Sequence, residues 1–239
     1  INGLLRFFDT NTYFRQPITE TESLKPTKSA ISDEINFAKD ITKKILKAVI
    51  TGPYTLAKHT KTKNFEKILS AYTDSIASEV ELLDKTIKEI QIDEPSVLRS
   101  PEEIDLAKTS LDKIYKVKKN SKILLHFYFY DPAKIYTKLL ELPCDILGLD
   151  FTYSEKLKEV VLAEGTNKPL MLGLFDGRNT YIEKEREVIP TIESIAKKLK
   201  TDFIEIGTSC GLEYLPRSIA FLKLKRISEI KEILMKTKK

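Results

Sequence analysis

The chain has no tryptophan, two methionines and two cysteines, Cys144 and Cys210, in 239 residues. Two cysteines cannot build a disulfide framework. With no secretory leader recognisable, they point to a reducing, cytosolic setting. No run approaches the roughly 20 apolar residues that a membrane span needs, so a soluble protein with no membrane partner is expected. A Gly-x-Gly-x-x-Gly turn is missing too, which argues against a dinucleotide fold, and no short-period repeat suggests a solenoid. Nucleic acid calls for a dense basic stripe with interleaved aromatics, and none is seen.

What charge there is lies scattered. Forty Lys and Arg face 35 Asp and Glu, giving +5, but the basic residues alternate with acidic neighbours and read as solvated helix faces. The modest positive field favours an anionic ligand such as a polyglutamylated or phosphorylated cofactor. Abundant Lys and Glu with scarce Met lean towards a thermophile. At 27.4 kDa the chain has the size of one α/β domain spanning residues 1–239. Its first residue is Ile1 rather than Met, so its natural beginning is expected to be missing.

The segment Ile90-Gln91-Ile92-Asp93-Glu94-Pro95 is a short alternating strand that ends in two carboxylates and is stopped by proline. Apolar strands and helices then alternate: helix from Pro101, strand 122–130, helix 132–142, strand 145–150, helix 154–164, strand 169–175, helix 181–199, strand 202–207 and helix 216–236. Upstream lie an extended aromatic segment at 7–17, a surface connection at 20–32, a helix from Ser32 to Leu46, a strand at 48–53 stopped by Gly52-Pro53, and a long helix at 65–89. Strands such as Ile123-Leu124-Leu125 are apolar on consecutive positions, as in parallel sheets covered on both faces. Seven strands separated by helices fit a (β/α)8 TIM barrel lacking its first strand-helix unit.

In such barrels reacting groups sit at the C-terminal strand ends, where polar clusters recur here. Of Asp93 and Glu94, opposite in direction on a strand, one is expected to hold a substrate ammonium and the other to meet or cap a loop. In Asp176-Gly177-Arg178-Asn179 the guanidinium can hold a carboxylate by two parallel hydrogen bonds, or the turn closes on its own Asp-Arg pair. Asn11, in the aromatic segment, joins Asp93, Glu94, Asp176 and Arg178 as a candidate substrate contact. His126, Asp150 and Cys210 could form a three-ligand zinc site with an open position, or be a core histidine, a loop acceptor and a packed thiol. No residue is assigned a catalytic role.

Taken in order, Phe8-Asp9-Thr10-Asn11, Thr51-Gly52-Pro53, Gln91-Ile92-Asp93-Glu94-Pro95, Asp176-Gly177-Arg178-Asn179 and Ser209-Cys210-Gly211 resemble the cobalamin-independent methionine synthase family. The resemblance implies a (β/α)8 barrel and methyl transfer from a methylated folate or other pterin to homocysteine at a zinc-bound thiolate. The Asp-Thr-Asn and Asp-Gly-Arg-Asn elements look like the family's amino-terminal barrel, which assists folate-tail binding. The catalytic barrel's His-x-Cys pair corresponds to His126-Phe127-Tyr128, its glutamate ligand to Asp150, its last cysteine to Cys210 and its catalytic histidine to the neighbourhood of Arg178. A component acting with a separate catalytic barrel is therefore expected. The alternatives are a self-sufficient zinc methyltransferase on His126, Asp150 and Cys210, a pterin- or corrinoid-binding module without turnover, and another barrel enzyme such as a decarboxylase.

Overall fold

A computed structural model describes residues 3–19, 24, 28–199 and 203–237. Two short strands, β1 (Leu4–Arg6) and β2 (Tyr13–Arg15), pair as a hairpin. The hairpin replaces the expected barrel strand at 7–17, and the reason is local. The Thr10 hydroxyl donates to the Phe7 carbonyl and accepts from the Thr12 amide, so the chain turns back instead of running on. Phe8 takes a left-handed φ of 50° at that turn. The connection expected at 20–32 falls largely outside the described residues.

Next come α1 (Ser32–Ile41), β3 (Lys47–Thr51), α2 (Pro53–Lys58), α3 (Phe65–Leu82), β4 (Glu89–Asp93), α4 (Pro95–Arg99), α5 (Ile104–Lys116), β5 (Lys122–Phe127), α6 (Tyr136–Leu140) and β6 (Ile146–Asp150). The chain continues through α7 (Lys156–Glu164), β7 (Leu170–Phe175), α8 (Glu185–Leu199), β8 (Ile204–Thr208) and α9 (Arg217–Thr237). Several expected boundaries move. The long helix stops at Leu82, since a turn at Asp84 intervenes, with the Asp84 carboxylate accepting from the Thr86 amide. The strand at 122–130 stops at Phe127, because Phe129 adopts φ 72°. Asp202, expected to start a strand, lies outside the described residues. Helices α2 and α4 were not expected: each begins with proline at its first position, where the missing N–H costs nothing.

The chain divides into two compact units, one of Ile1–Leu5, Phe14–His126 and Glu141–Ile146, the other of Arg6–Tyr13, Phe127–Leu140 and Leu147–Lys239. In the first, β3, β4 and β5 pair in parallel, with Ala48 opposite Ile90 and Ile90 opposite Ile123. Helices α3 and α5 cover them; α5 buries Ile104, Ala107, Leu111 and Ile114 along one stripe. α1 is anchored by the buried Glu79 of α3, which accepts from the Ala30 and Ile31 amides, groups a helix start leaves without intrahelical partners. In the second unit β6, β7 and β8 pair in parallel, with Leu147 opposite Leu170 and Leu170 opposite Ile204. All five β6 residues are buried, as its apolar run on both faces requires. The result is an α/β fold with parallel strands in chain order. Among the described residues no helix is long and apolar enough to cross a membrane.

Candidate functional site

In the first unit β4 alternates as its sequence demands. Ile90 and Ile92 are buried, while Glu89, Gln91 and Asp93 share the other, half-buried face. Parallel register sets Asp93 beside His126. The Gln91 side-chain amide donates to Asp93 Oδ1 at 2.8 Å and approaches His126 Nδ1 at 3.3 Å. Burial, helped by the Lys47 charge, drives the imidazole pKa down to about 3. His126 is therefore neutral at physiological pH, and its 3.8 Å approach to Asp93 is a polar contact rather than an ion pair.

Glu94 departs from its expected place at a substrate. It is fully buried, and both oxygens are taken. Oε1 accepts from the Tyr54 amide at 2.9 Å; Oε2 accepts from the Thr55 amide at 2.8 Å and the Thr55 hydroxyl at 2.6 Å. Those amides are the orphan donors at the start of α2, so Glu94 is a cap supplied by the next strand. It also dictates its neighbour: a Cβ on Gly52 would lie 2.2 Å from the Glu94 carboxyl carbon. Of the two adjacent carboxylates, Asp93 has the candidate site's position and Glu94 the structural one.

The second unit gathers a separate polar group at the ends of β6, β7 and β8. Asp176 is its hub: Oδ1 accepts from the Arg178 amide at 2.8 Å and from Arg178 Nε at 2.9 Å, and Oδ2 accepts from the Asn179 side chain at 2.7 Å. Arg178 Nη2 then donates to the Thr152 hydroxyl at 3.1 Å and lies 3.9 Å from Asp150 Oδ2. Its guanidinium also stands over the Tyr153 ring, 5.4 Å from the centroid. Of the two readings of the Asp-Gly-Arg-Asn turn, the internal Asp-Arg pair is the one formed. Asp150, completely buried, accepts at Oδ1 from the Thr152 amide and hydroxyl. Burial raises its pKa, against the pull of Thr152 and Arg178.

Cys210 packs beneath this turn. A Cβ on Gly177 would come within 2.7 Å of its sulfur, so that glycine is needed for the close approach, and the Gly177 amide donates to the Ser209 hydroxyl. Burial pushes the thiol up to about 12, far from the thiolate that attacks an electrophile. Iodoacetamide at pH 8 is therefore expected to leave Cys210 unlabelled in the native protein and to modify it on unfolding in guanidinium; mass spectrometry showing rapid native labelling would contradict this burial. Above the cysteine Phe7, Phe8, Tyr128, Phe129, Tyr130 and Tyr214 cluster, and this packing replaces the expected run of His126, Tyr128 and Tyr130 along one strand. Asn11 is exposed at the hairpin tip.

The donor set does not suit zinc. Among the described residues no group of three or more His, Cys, Asp or Glu side chains could hold a metal ion, His126, Asp150 and Cys210 included. Asp150 gives only Oδ1 to Thr152, but its Oδ2 lies 3.9 Å from Arg178 Nη2, whose positive charge would compete with a cation. Thr152, Glu183 and Lys223 stand outside the motifs quoted above, whereas Gln91 lies within one but has no role assigned to it there. For Lys223 a signal existed, since it precedes Ile230 by seven residues on the buried stripe of α9.

Residues 2–200 match the family described as cobalamin-independent synthase, N-terminal domain. Methionine synthase of Sulfolobus acidocaldarius is 29% identical over 220 residues, 89% of this chain and 63% of that protein. The 5-methyltetrahydropteroyltriglutamate--homocysteine methyltransferase of Campylobacter jejuni subsp. doylei is 31% identical over 264 residues, 97% of this chain and 34% of that protein. A B12-independent methionine synthase from Shewanella sp., solved with selenomethionine, superposes with a TM-score of 0.75 at 22% identity, covering 88% of this chain and 68% of that one. The chain thus spans less than two thirds of the archaeal relative and about one third of the bacterial one. With the family matched along most of its length, the chain belongs to the cobalamin-independent synthase N-terminal domain family.

Proposed function

We propose that this chain is the amino-terminal-type barrel of a cobalamin-independent methionine synthase, working in methionine biosynthesis with a catalytic barrel outside these residues. The observation that carries the reading is the family match over residues 2–200. In this reading residues 1–239 form a single domain, a (β/α)8 barrel lacking its first unit, and the protein is cytoplasmic. The substrates are homocysteine and a methylated folate or other pterin, as the name of the Campylobacter relative supports.

The chemistry of the described residues favours holding over bond-making. Cys210 is a buried thiol and His126 a buried imidazole, and among the described residues no group of three or more His, Cys, Asp or Glu side chains could hold a metal ion, so no step of methyl transfer is assigned to a residue of this chain. Asp93 offers a carboxylate on the polar face of β4, suited to a substrate ammonium. Asp176, Arg178 and Asn179 form a prearranged polar rim, with Asn11 at the hairpin tip. The +5 charge draws an anionic polyglutamate tail towards the protein, a long-range effect that salt weakens.

The test is a methyl-transfer assay with homocysteine and 5-methyltetrahydropteroyltriglutamate, using this chain alone, a catalytic barrel of a methionine synthase alone, and the two mixed. Methionine is expected at the full rate only in the mixture. Full turnover by the isolated chain would overturn the component reading in favour of a self-sufficient enzyme; binding without turnover in every arm would favour a carrier-binding module.

A further inference from the structure

Helix α9 buries a charge where an apolar residue would be ordinary. Lys223 is completely inaccessible, whereas its neighbours Phe221, Leu222 and Leu224 are exposed. A buried ammonium is costly unless fully paired. Here Nζ donates to both oxygens of Glu183 at 2.9 Å and to the Tyr181 carbonyl. Glu183 Oε1 has a second task, accepting from the Asp176 amide at 2.7 Å. The pair thus holds both ends of the segment from Asp176 to Glu183: it fixes the first residue after β7 through the amide and the last through the ion pair.

We infer that Lys223 and Glu183 are positioning residues that hold the Asp176-Gly177-Arg178-Asn179 turn in its ligand-ready shape, acting through the Asp176 backbone. If fold stability alone were served, two apolar residues of similar volume would do as well, since such replacements of buried ion pairs are often neutral or stabilising. They could not, however, accept the Asp176 N–H. With Glu183 oriented by Lys223, the Asp176 backbone is fixed before any ligand arrives, and its carboxylate stays aimed at Arg178 and Asn179. That the turn contacts substrate rests on the proposed function; that the pair fixes the turn does not.

The experiment compares three variants. Lys223→Met alone strands a buried carboxylate and is expected to lower Tm by about 10 °C. Glu183→Leu/Lys223→Met and Glu183→Gln/Lys223→Met both remove the charge pair, and both are expected to fold with Tm near wild type. Only the glutamine variant keeps an oxygen for the Asp176 amide. Amide hydrogen exchange followed by 15N NMR should then show Asp176 exchanging about tenfold faster in the leucine variant and near the wild-type rate in the glutamine variant. In the mixed methyl-transfer assay the leucine variant should raise KM for 5-methyltetrahydropteroyltriglutamate about tenfold with kcat little changed. Equal exchange protection in both double variants would overturn the positioning role. An unmoved KM beside accelerated exchange would overturn the link from turn to ligand. If the wild-type mixture forms no methionine, the functional reading fails, and the exchange comparison still decides whether the pair positions the turn.

Discussion

Glu94→Ala is expected to destabilise the fold by about 4 kcal/mol, because it leaves three buried donors at the start of α2 without an acceptor. In a chain of this size that lowers Tm by roughly 10 °C, readable by calorimetry. The same residue gives stability a pH dependence whose sign is fixed. Burial raises the Glu94 carboxyl from 4.5 to about 7, against the opposing pull of the Thr55 and Tyr54 donors. Between those values the folded protein binds a proton that the unfolded chain has released. Stability from this group is therefore complete below about pH 4.5 and is lost as pH rises through about 7, by about 3 kcal/mol in total. Urea midpoints from pH 5 to 8 should fall more steeply for wild type than for Glu94→Gln, which cannot titrate. Parallel profiles would show that the carboxyl is ionised throughout.

Gly173→Ala is the second large effect. A Cβ there would meet the Leu149 carbonyl oxygen at 2.8 Å and Ser209 Cα at 2.9 Å, both backbone atoms of neighbouring segments, beside a bulge in β7. Backbone on two sides cannot swing away as a side chain can, so a loss of about 3 kcal/mol is expected. Gly207→Ala is the internal control, since its added methyl meets only the Met171 sulfur at 3.3 Å, and a thioether yields easily. That substitution should cost under about 1 kcal/mol. Matching urea midpoints for the two variants would refute the backbone-clash explanation.

Why some features were legible and others were not follows from where the information lies. Strands β5 to β7 announce themselves because consecutive apolar residues bounded by polar rims have few other uses, and β4 and β8 do so by apolar-polar alternation. Helices α2 and α4 were hidden because Gly52-Pro53 and Glu94-Pro95 read as stops, whereas proline at a first helical position is equally a start; at Pro101, where a helix start is expected, the chain makes a 3-10 turn over Pro101–Glu103 and α5 begins only at Ile104. The 7–17 segment looked extended from its aromatics, yet one hydroxyl, that of Thr10, bends it into a hairpin. Site residues divided in the same way. The Asp176 turn was visible as a motif with two readings, and only coordinates choose the internal pair. Glu94 was visible as an acid at a strand end, but its partners come from residues 54 and 55, a relation that spacing along the chain does not encode. Lys223 looked like one more solvated helix lysine, since the rule that lysines face water conceals the exception until its partner forty residues upstream is found.

The Thr152 hydroxyl carries a single hydrogen, given to Asp150, while its lone pair receives Arg178. The direction of that small chain is therefore fixed: it runs from guanidinium through hydroxyl to carboxylate and cannot reverse, because arginine has nothing with which to accept. Valine, which matches threonine in volume, would sever it, whereas serine would preserve it, so tolerance at position 152 is governed by proton order rather than by shape.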